Sequence, residues 1–94
     1  MSKYEIMFIV RPDIAEEERK TVFAQINDAV TKHGGNVEQA AVWAERKKLF
    51  FPIKKHLEGV YYLLTFTAET KIIKELRQIY RLNENILRFM VSVL

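Results

Sequence analysis

Two segments in which apolar side chains recur at every second position constrain the fold of this chain more than any other feature. Apolar side chains recur at every second position from Tyr4 to Val10 and again from Val60 to Ala68. Because successive side chains of a strand point to opposite faces of a sheet, each segment predicts a strand with one strongly apolar face. Both strands must bury that face against other elements, so the sequence predicts a layered fold built on a sheet.

Two segments with helical spacing supply the covering layer. Residues 14–33 carry their apolar side chains along one stripe, and residues 70–80 repeat this pattern over a shorter span. Asp13 is the expected cap of the first helix, and three glutamates follow in its first turn. Gly34 and Gly35 are expected to end it.

The remaining segments predict three further extended stretches. Residues 36–43 and 48–53 are expected to be strands separated by the charged residues 45–47, and HLEG, residues 56–59, is expected to turn the chain. Residues 83–85 predict a turn and residues 86–94 a last strand. The order β-α-β-β-α-β favours one α+β domain over residues 1–94, a ferredoxin-like sandwich whose four-stranded antiparallel sheet carries both helices on one face.

One face of such a sheet stays uncovered by helices. The residues expected on this open face are Glu5, Met7, Ile9, Tyr61, Leu63, Thr65 and Thr67. Four of the seven are apolar or aromatic, which often marks a protein contact, although scattered exposed apolar residues also occur without one. The predicted partner-binding residues are Met7, Ile9, Tyr61 and Leu63.

Composition and spacing exclude several classes of function. The chain has no cysteine, and no apolar run approaches the ~20 residues that span a bilayer. His33 and His56 have no carboxylate at a spacing that favours pairing, so they are expected to be surface or capping residues. Acids occupy the first helix N-terminus, where a ferredoxin-like acylphosphatase would bind phosphate. We predict no enzymatic activity, metal, cofactor, membrane contact or small-molecule substrate, and a cytoplasmic location.

Basic residues are concentrated in the last two thirds of the chain. The net charge is +3 and the pI about 9.3, yet residues 1–35 carry five cations against six anions. RNA-recognition modules share this strand order, but Glu58 and Val60 replace their cation and first aromatic residue, so base reading on the sheet is not expected. The basic side chains are either solvated surface charges or contacts to RNA phosphates. The candidates are Lys3, Arg46, Lys47, Lys48, Lys54, Lys55, Arg81 and Arg88.

Several motifs together resemble the bacterial small-subunit ribosomal protein six family, over essentially all 94 residues. They are KYEIMFIVRPD at the start, HGG before the second strand, a tryptophan followed by RKKLFFPIKKH, then EGVYYLLTF, and YRLNENILRFMVSVL at the end. The last motif is the most specific. The sequence departs from the family pattern at Ala44, where the family has glycine, and at the additional Glu45, so the bulge of this strand is expected to differ.

The resemblance implies the same ferredoxin-like fold that the periodicity predicts. It also implies a structural role in the small ribosomal subunit, where the protein would bind the central domain of 16S-type ribosomal RNA together with small-subunit protein eighteen. The residues it implicates by position are Arg46, Lys47, Lys48, Arg81 and Arg88. The alternative hypothesis is a non-ribosomal protein-interaction module that dimerises through the open sheet face.

Overall fold

The computed structural model of the protein describes residues 1–53 and 56–94, with the side chains of residues 1–44 and 58–94. A 3₁₀ turn at Thr70–Ile72 precedes the second helix. The elements in chain order are β1 (Ser2–Val10), α1 (Glu16–Lys32), β2 (Asn36–Ile53), β3 (His56–Ala68), α2 (Ile73–Leu82) and β4 (Ile86–Val93). The predicted β-α-β-β-α-β order is therefore confirmed.

The four strands form one antiparallel sheet in the order β2-β3-β1-β4. The two segments with apolar side chains at every second position are the central strands, and they pair without a register shift from Ser2 opposite Ala68 to Val10 opposite Val60. Directly opposed residues of antiparallel strands point to the same face, so the apolar faces of β1 and β3 combine into one surface. This arrangement confirms the predicted ferredoxin-like fold.

The core lies between that surface and the two helices. Its largest fully buried side chains are Tyr80, Phe8, Phe66, Ile6, Ile26, Leu64 and Leu76. The Tyr80 ring meets Phe8 edge-on with centroids 4.7 Å apart, and its hydroxyl donates to the carbonyl oxygen of Ile26 at 2.8 Å. Tyr80 also contacts Phe89 of β4, with ring centroids 5.8 Å apart. These contacts hold the end of α2 over β1 and β4, at one edge of the sheet.

The two ends of α1 differ from each other in how they are capped. The predicted cap at Asp13 is wrong, because the N-cap is Ala15 and no side chain caps the helix. The Asp13 carboxylate instead accepts hydrogen bonds from Arg11, at 3.1 Å from Nε and 3.0 Å from Nη2. The predicted stop is confirmed, since Gly34 has a φ of 89° and the Gly35 N–H donates to Val30 at 2.8 Å.

The hairpin of β2 and β3 differs from its prediction in two places. The charged residues 45–47 do not divide β2, which continues to Ile53. The pairing of β2 with β3 instead shifts in register between Val42 and Lys47. HLEG is not a turn, because β3 begins at His56, which pairs with Ile53. Register shifts lie on both sides of Ala44, so the strand is bulged at this residue.

Candidate nucleic-acid interface

A groove lined by three arginines lies where the end of α2 meets the start of β4. Its volume is about 400 Å³. The lining residues are Arg77, Tyr80, Arg81, Ile86, Leu87, Arg88 and Phe89. We call it the arginine groove. Its lining combines apolar and aromatic residues with three arginines, a combination that suits an anionic ligand with a flat or apolar part.

The local sequence explains why these arginines meet. Arg77 and Arg81 are four residues apart on α2 and therefore lie on one face of the helix, while Arg88 belongs to the adjoining edge strand. The connecting turn is held by the Asn83 side chain, which accepts from the Asn85 N–H at 3.0 Å and donates to Gln25 of α1 at 3.1 Å. The turn that joins α2 to β4 is thus held in place, and α2 and β4 form the groove on either side of it.

The three arginines of the groove have no ion-pair partner in the described part of the chain. Among the described residues, none that lines the groove is acidic, and no ion pair involves Arg77, Arg81 or Arg88. The carbonyl groups at the C-terminus of α2 offset the positive charge only partly. Burial raises the pKa of Tyr80, so this phenol remains a neutral hydroxyl beside the arginines. The site therefore favours a bound anion.

The structure brings two of the eight predicted RNA-binding residues together, Arg81 and Arg88. Lys3 lies six residues before Ile9, which pairs with Arg88, so Lys3 is about 20 Å along β1 from the groove. Its ammonium group is paired with Glu38 at 3.1 Å.

Of the other five predicted residues, three lie in the opposite edge strand of the sheet and two lie outside the described residues. Arg46, Lys47 and Lys48 are in β2, the opposite edge strand, where Lys47 pairs with Gly59 of β3. Their side chains are outside the described part of the chain, and Lys54 and Lys55 are outside it altogether. Arg46, Lys47 and Lys48 therefore lie at the opposite edge of the sheet from the arginine groove, with three strand intervals between the two edges.

Arg77 is the residue of the groove that sequence reasoning missed. Its signal is the spacing of four residues to Arg81 on a helix whose adjoining face, with Leu76 and Tyr80, is buried. That spacing alone is common on solvated helices. Only the position of Arg88, which depends on the packing of α2 against β4, shows that Arg77 and Arg81 face a third cation.

The open sheet face contains the predicted partner-binding residues in two rows across the strands. Leu63, Met7 and Met90 form one row through direct pairing, and Tyr61, Ile9 and Arg88 form the next. Met7, Leu63 and Tyr61 are half-buried. Ile9 is only 4% exposed, because it packs with Leu87 and Tyr61 in a small cluster of its own.

Two exposed apolar side chains extend this surface beyond the predicted set. Trp43 is 54% exposed with its ring 5.8 Å from Tyr61, and Met90 is 42% exposed next to Met7. We call Met7, Leu63, Tyr61, Trp43 and Met90 the open-face strip. Ile9 supports the strip from below and offers little area of its own to a partner.

Catalytic and metal-binding groups do not assemble in the part of the chain that the structure describes. No cluster of potential ligands that could hold a metal ion is found among the described residues. His33 acts as the expected capping residue, since its Nδ1 donates to the Ala29 carbonyl at 2.9 Å, while the His56 side chain is outside the described set. No described helix is long and apolar enough to cross a membrane.

The fold and the site define the chain as a small α+β domain with an arginine-lined groove at one sheet edge and an apolar strip on its open face. The family model for ribosomal protein S6 matches residues 3–92, and the chain belongs to that family. The family consists of structural ribosomal proteins, which agrees with the expectation that the chain is not an enzyme.

Individual relatives show the extent of the similarity. The small ribosomal subunit protein bS6 of Helicobacter acinonychis (strain Sheeba) is 43% identical over 91 residues, which cover 97% of this chain and 63% of the relative. The bS6 protein of Caldanaerobacter subterraneus is 34% identical over 97% of this chain and 95% of the relative. The crystal structure of 30S ribosomal protein S6 from Thermotoga maritima superposes with a TM-score of 0.92 at 26% identity, covering 99% of this chain and 87% of that one.

Proposed function

We propose that this protein is a structural component of the bacterial small ribosomal subunit in the cytoplasm. In this role it binds the central domain of 16S-type ribosomal RNA together with small-subunit protein eighteen. Membership in the ribosomal protein S6 family supports the assignment to the small subunit. Because the chain spans 63% of the length of its Helicobacter relatives, this role is proposed for the domain described above.

The arginine groove is the observation that supports the proposed binding of RNA. Arg81 and Arg88, which the sequence motifs also implicate, line one groove, and no acidic residue is among its described lining residues. A guanidinium group can donate two parallel hydrogen bonds to a phosphate. It is available for this contact where few carboxylates compete for it. The groove is therefore the part of this surface best suited to an RNA backbone.

The open-face strip is the proposed site for the protein partner. Its members are apolar or aromatic and half-buried to exposed, which is the composition of an interface core. Trp43 and Tyr61 are of the residue types that contribute most to such interfaces. The alternative of a non-ribosomal module would use the same strip, but membership in the ribosomal protein S6 family argues against it.

The proposal is tested by binding to a transcript of the central domain of the small-subunit ribosomal RNA at several salt concentrations. The double variant Arg81→Gln/Arg88→Gln is expected to lower the slope of log affinity against log salt by roughly 1.5, since each phosphate contact contributes about 0.7–0.9. The charge-matched control is Lys20→Gln/Lys32→Gln on exposed positions of α1. Equal slopes for the two doubles would contradict the assignment, as would absence of the protein from small subunits in a sucrose gradient.

A further inference from the structure

Arg77 is the member of the arginine groove that neither the sequence motifs nor the proposed function uses. It is exposed on the penultimate turn of α2 and lines the groove with Arg81 and Arg88. It takes part in no ion pair among the described residues. None of the hydrogen bonds and ion pairs between described side chains therefore accounts for an arginine in this position.

The position of Arg77 is unfavourable for the isolated helix. Like charges four residues apart on one helix face repel each other, and Arg77 and Arg81 have this spacing. Arg88 adds a third positive charge to the same groove. A bound anion would reduce this repulsion, so the arrangement favours binding rather than folding as the role of Arg77.

The dimensions of the groove indicate more than one anionic group. Four residues of helix separate Arg77 from Arg81 by about 6 Å along the axis. This separation is on the scale of one nucleotide step of an RNA strand, and the groove volume of about 400 Å³ exceeds the needs of a single phosphate. Ile86 and Phe89 supply apolar lining against which the sugar between two phosphates would pack.

We infer that Arg77 is a third RNA-binding residue and that the arginine groove binds two successive phosphates of one RNA strand, one at Arg77 and the next at Arg81. This inference rests on the proposed function, because it assigns the ligand of the same groove in more detail. It assigns Arg77 a contact to the RNA backbone, which is independent of the base sequence.

The test compares Arg77→Gln, Arg81→Gln and the double variant on the central-domain transcript, with Lys20→Gln as the charge-matched control. Glutamine and arginine have similar helix propensity, so α2 is preserved. Arg77→Gln is expected to weaken binding about tenfold. It should also lower the salt slope by about 0.7–0.9, whereas Lys20→Gln should leave the slope unchanged. The melting temperature of Arg77→Gln should equal or exceed that of the wild type, because a repulsion is removed.

The slopes of the single and double variants separate the possible failures. If the losses of Arg77→Gln and Arg81→Gln add in the double variant, two phosphates are bound; if the double variant loses no more than one single, both arginines share one phosphate and the inference is wrong. A normal slope for Arg77→Gln beside a reduced slope for Arg81→Gln would overturn the inference and leave the proposed function intact. Normal slopes for both variants would overturn the proposed function itself.

Discussion

At the scale of single residues, Gly34 shows how backbone conformation limits the sequence. Its φ of 89° lies in the left-handed region, and an added Cβ would meet no atom within 4 Å. The cost of a side chain is therefore conformational and not steric. Gly34→Ala should lower the free energy of unfolding by about 1–2 kcal/mol, measured by urea denaturation. Gly34→Asn is the matched control and should lose less, because asparagine tolerates this region better. Equal losses would contradict this explanation.

Tyr80 gives a second prediction at this scale, on the dependence of stability on pH. Burial raises the pKa of its phenol above the ordinary value near 10. The unfolded chain therefore loses this proton at lower pH than the folded chain does. The stabilisation is complete below about pH 10 and is lost as the pH rises from there towards the folded-state pKa. The wild type should lose stability steeply in this range, and Tyr80→Phe should lose it less steeply.

The control for Tyr80→Phe is its stability at neutral pH. There the variant lacks only the hydrogen bond to Ile26, at an expected cost of about 0.5–1.5 kcal/mol. Urea midpoints of both proteins between about pH 8 and pH 11 test the prediction. Part of the slope should remain in the variant, because burial also raises the pKa of Tyr62. Parallel curves for the two proteins would show that Tyr80 does not cause the loss.

At the scale of elements, α1 begins without a side-chain cap, which the sequence did not predict. Asp13 was the expected cap because it precedes three glutamates, but its carboxylate is bound by Arg11 and the helix begins two residues later than its position requires. This competition between a local ion pair and a cap depends on the path of the turn. The path of this turn between β1 and α1 depends on how β1 ends, and the spacing of residues in the sequence does not reveal it.

The missing cap allows a stabilising substitution. Ala15→Ser places a hydroxyl at the N-cap with Glu18 three residues later, the arrangement of a capping box. The free energy of unfolding should rise by about 0.5–2 kcal/mol, measured by urea denaturation. The control is Ala24→Ser at an exposed position inside α1, which should lower stability slightly because serine is a poorer helix former. A gain in both variants would indicate an effect unrelated to capping.

The strands show which parts of the fold the sequence determines locally. Apolar side chains at every second position predicted β1 and β3 correctly because a central strand has one face buried along its whole length. The edge strand β2 was predicted as two pieces, since a charged segment normally ends a strand. Its bulges at Val42 to Lys47 accommodate these residues without ending the pairing. In the same way the sequence predicts a turn at Gly59, whereas this residue is buried in β3 opposite Lys47.

At the scale of the whole molecule, the two proposed binding surfaces share β4. Arg88 lines the arginine groove, and Met90, two residues further along the same strand, belongs to the open-face strip. Sequence motifs identified Arg88 and part of the strip, but their adjacency follows only from the pairing of β4 with β1. A protein bound to the strip would exclude water next to Arg88, and a phosphate contact is stronger in a less polar environment.

This adjacency predicts that partner and RNA bind cooperatively. The double variant Met7→Gln/Leu63→Gln should weaken binding of protein eighteen by tenfold or more, as expected for the loss of central apolar contacts worth over about 1.4 kcal/mol. Its affinity for the central-domain transcript should match the wild type when protein eighteen is absent and fall below it when protein eighteen is present. Both affinities can be measured by filter binding or calorimetry, with melting temperatures as the check on folding.

The matched control is Thr65→Gln, a polar residue of the same face whose partner in the register is Glu5 and not a member of the strip. It should bind protein eighteen and RNA like the wild type. Cooperativity is reciprocal, so RNA must raise the affinity for protein eighteen by the same factor that protein eighteen raises the affinity for RNA. If Met7→Gln/Leu63→Gln weakens RNA binding equally with and without protein eighteen, the strip contacts RNA itself, and the division of the molecule into a groove for RNA and a strip for protein is wrong.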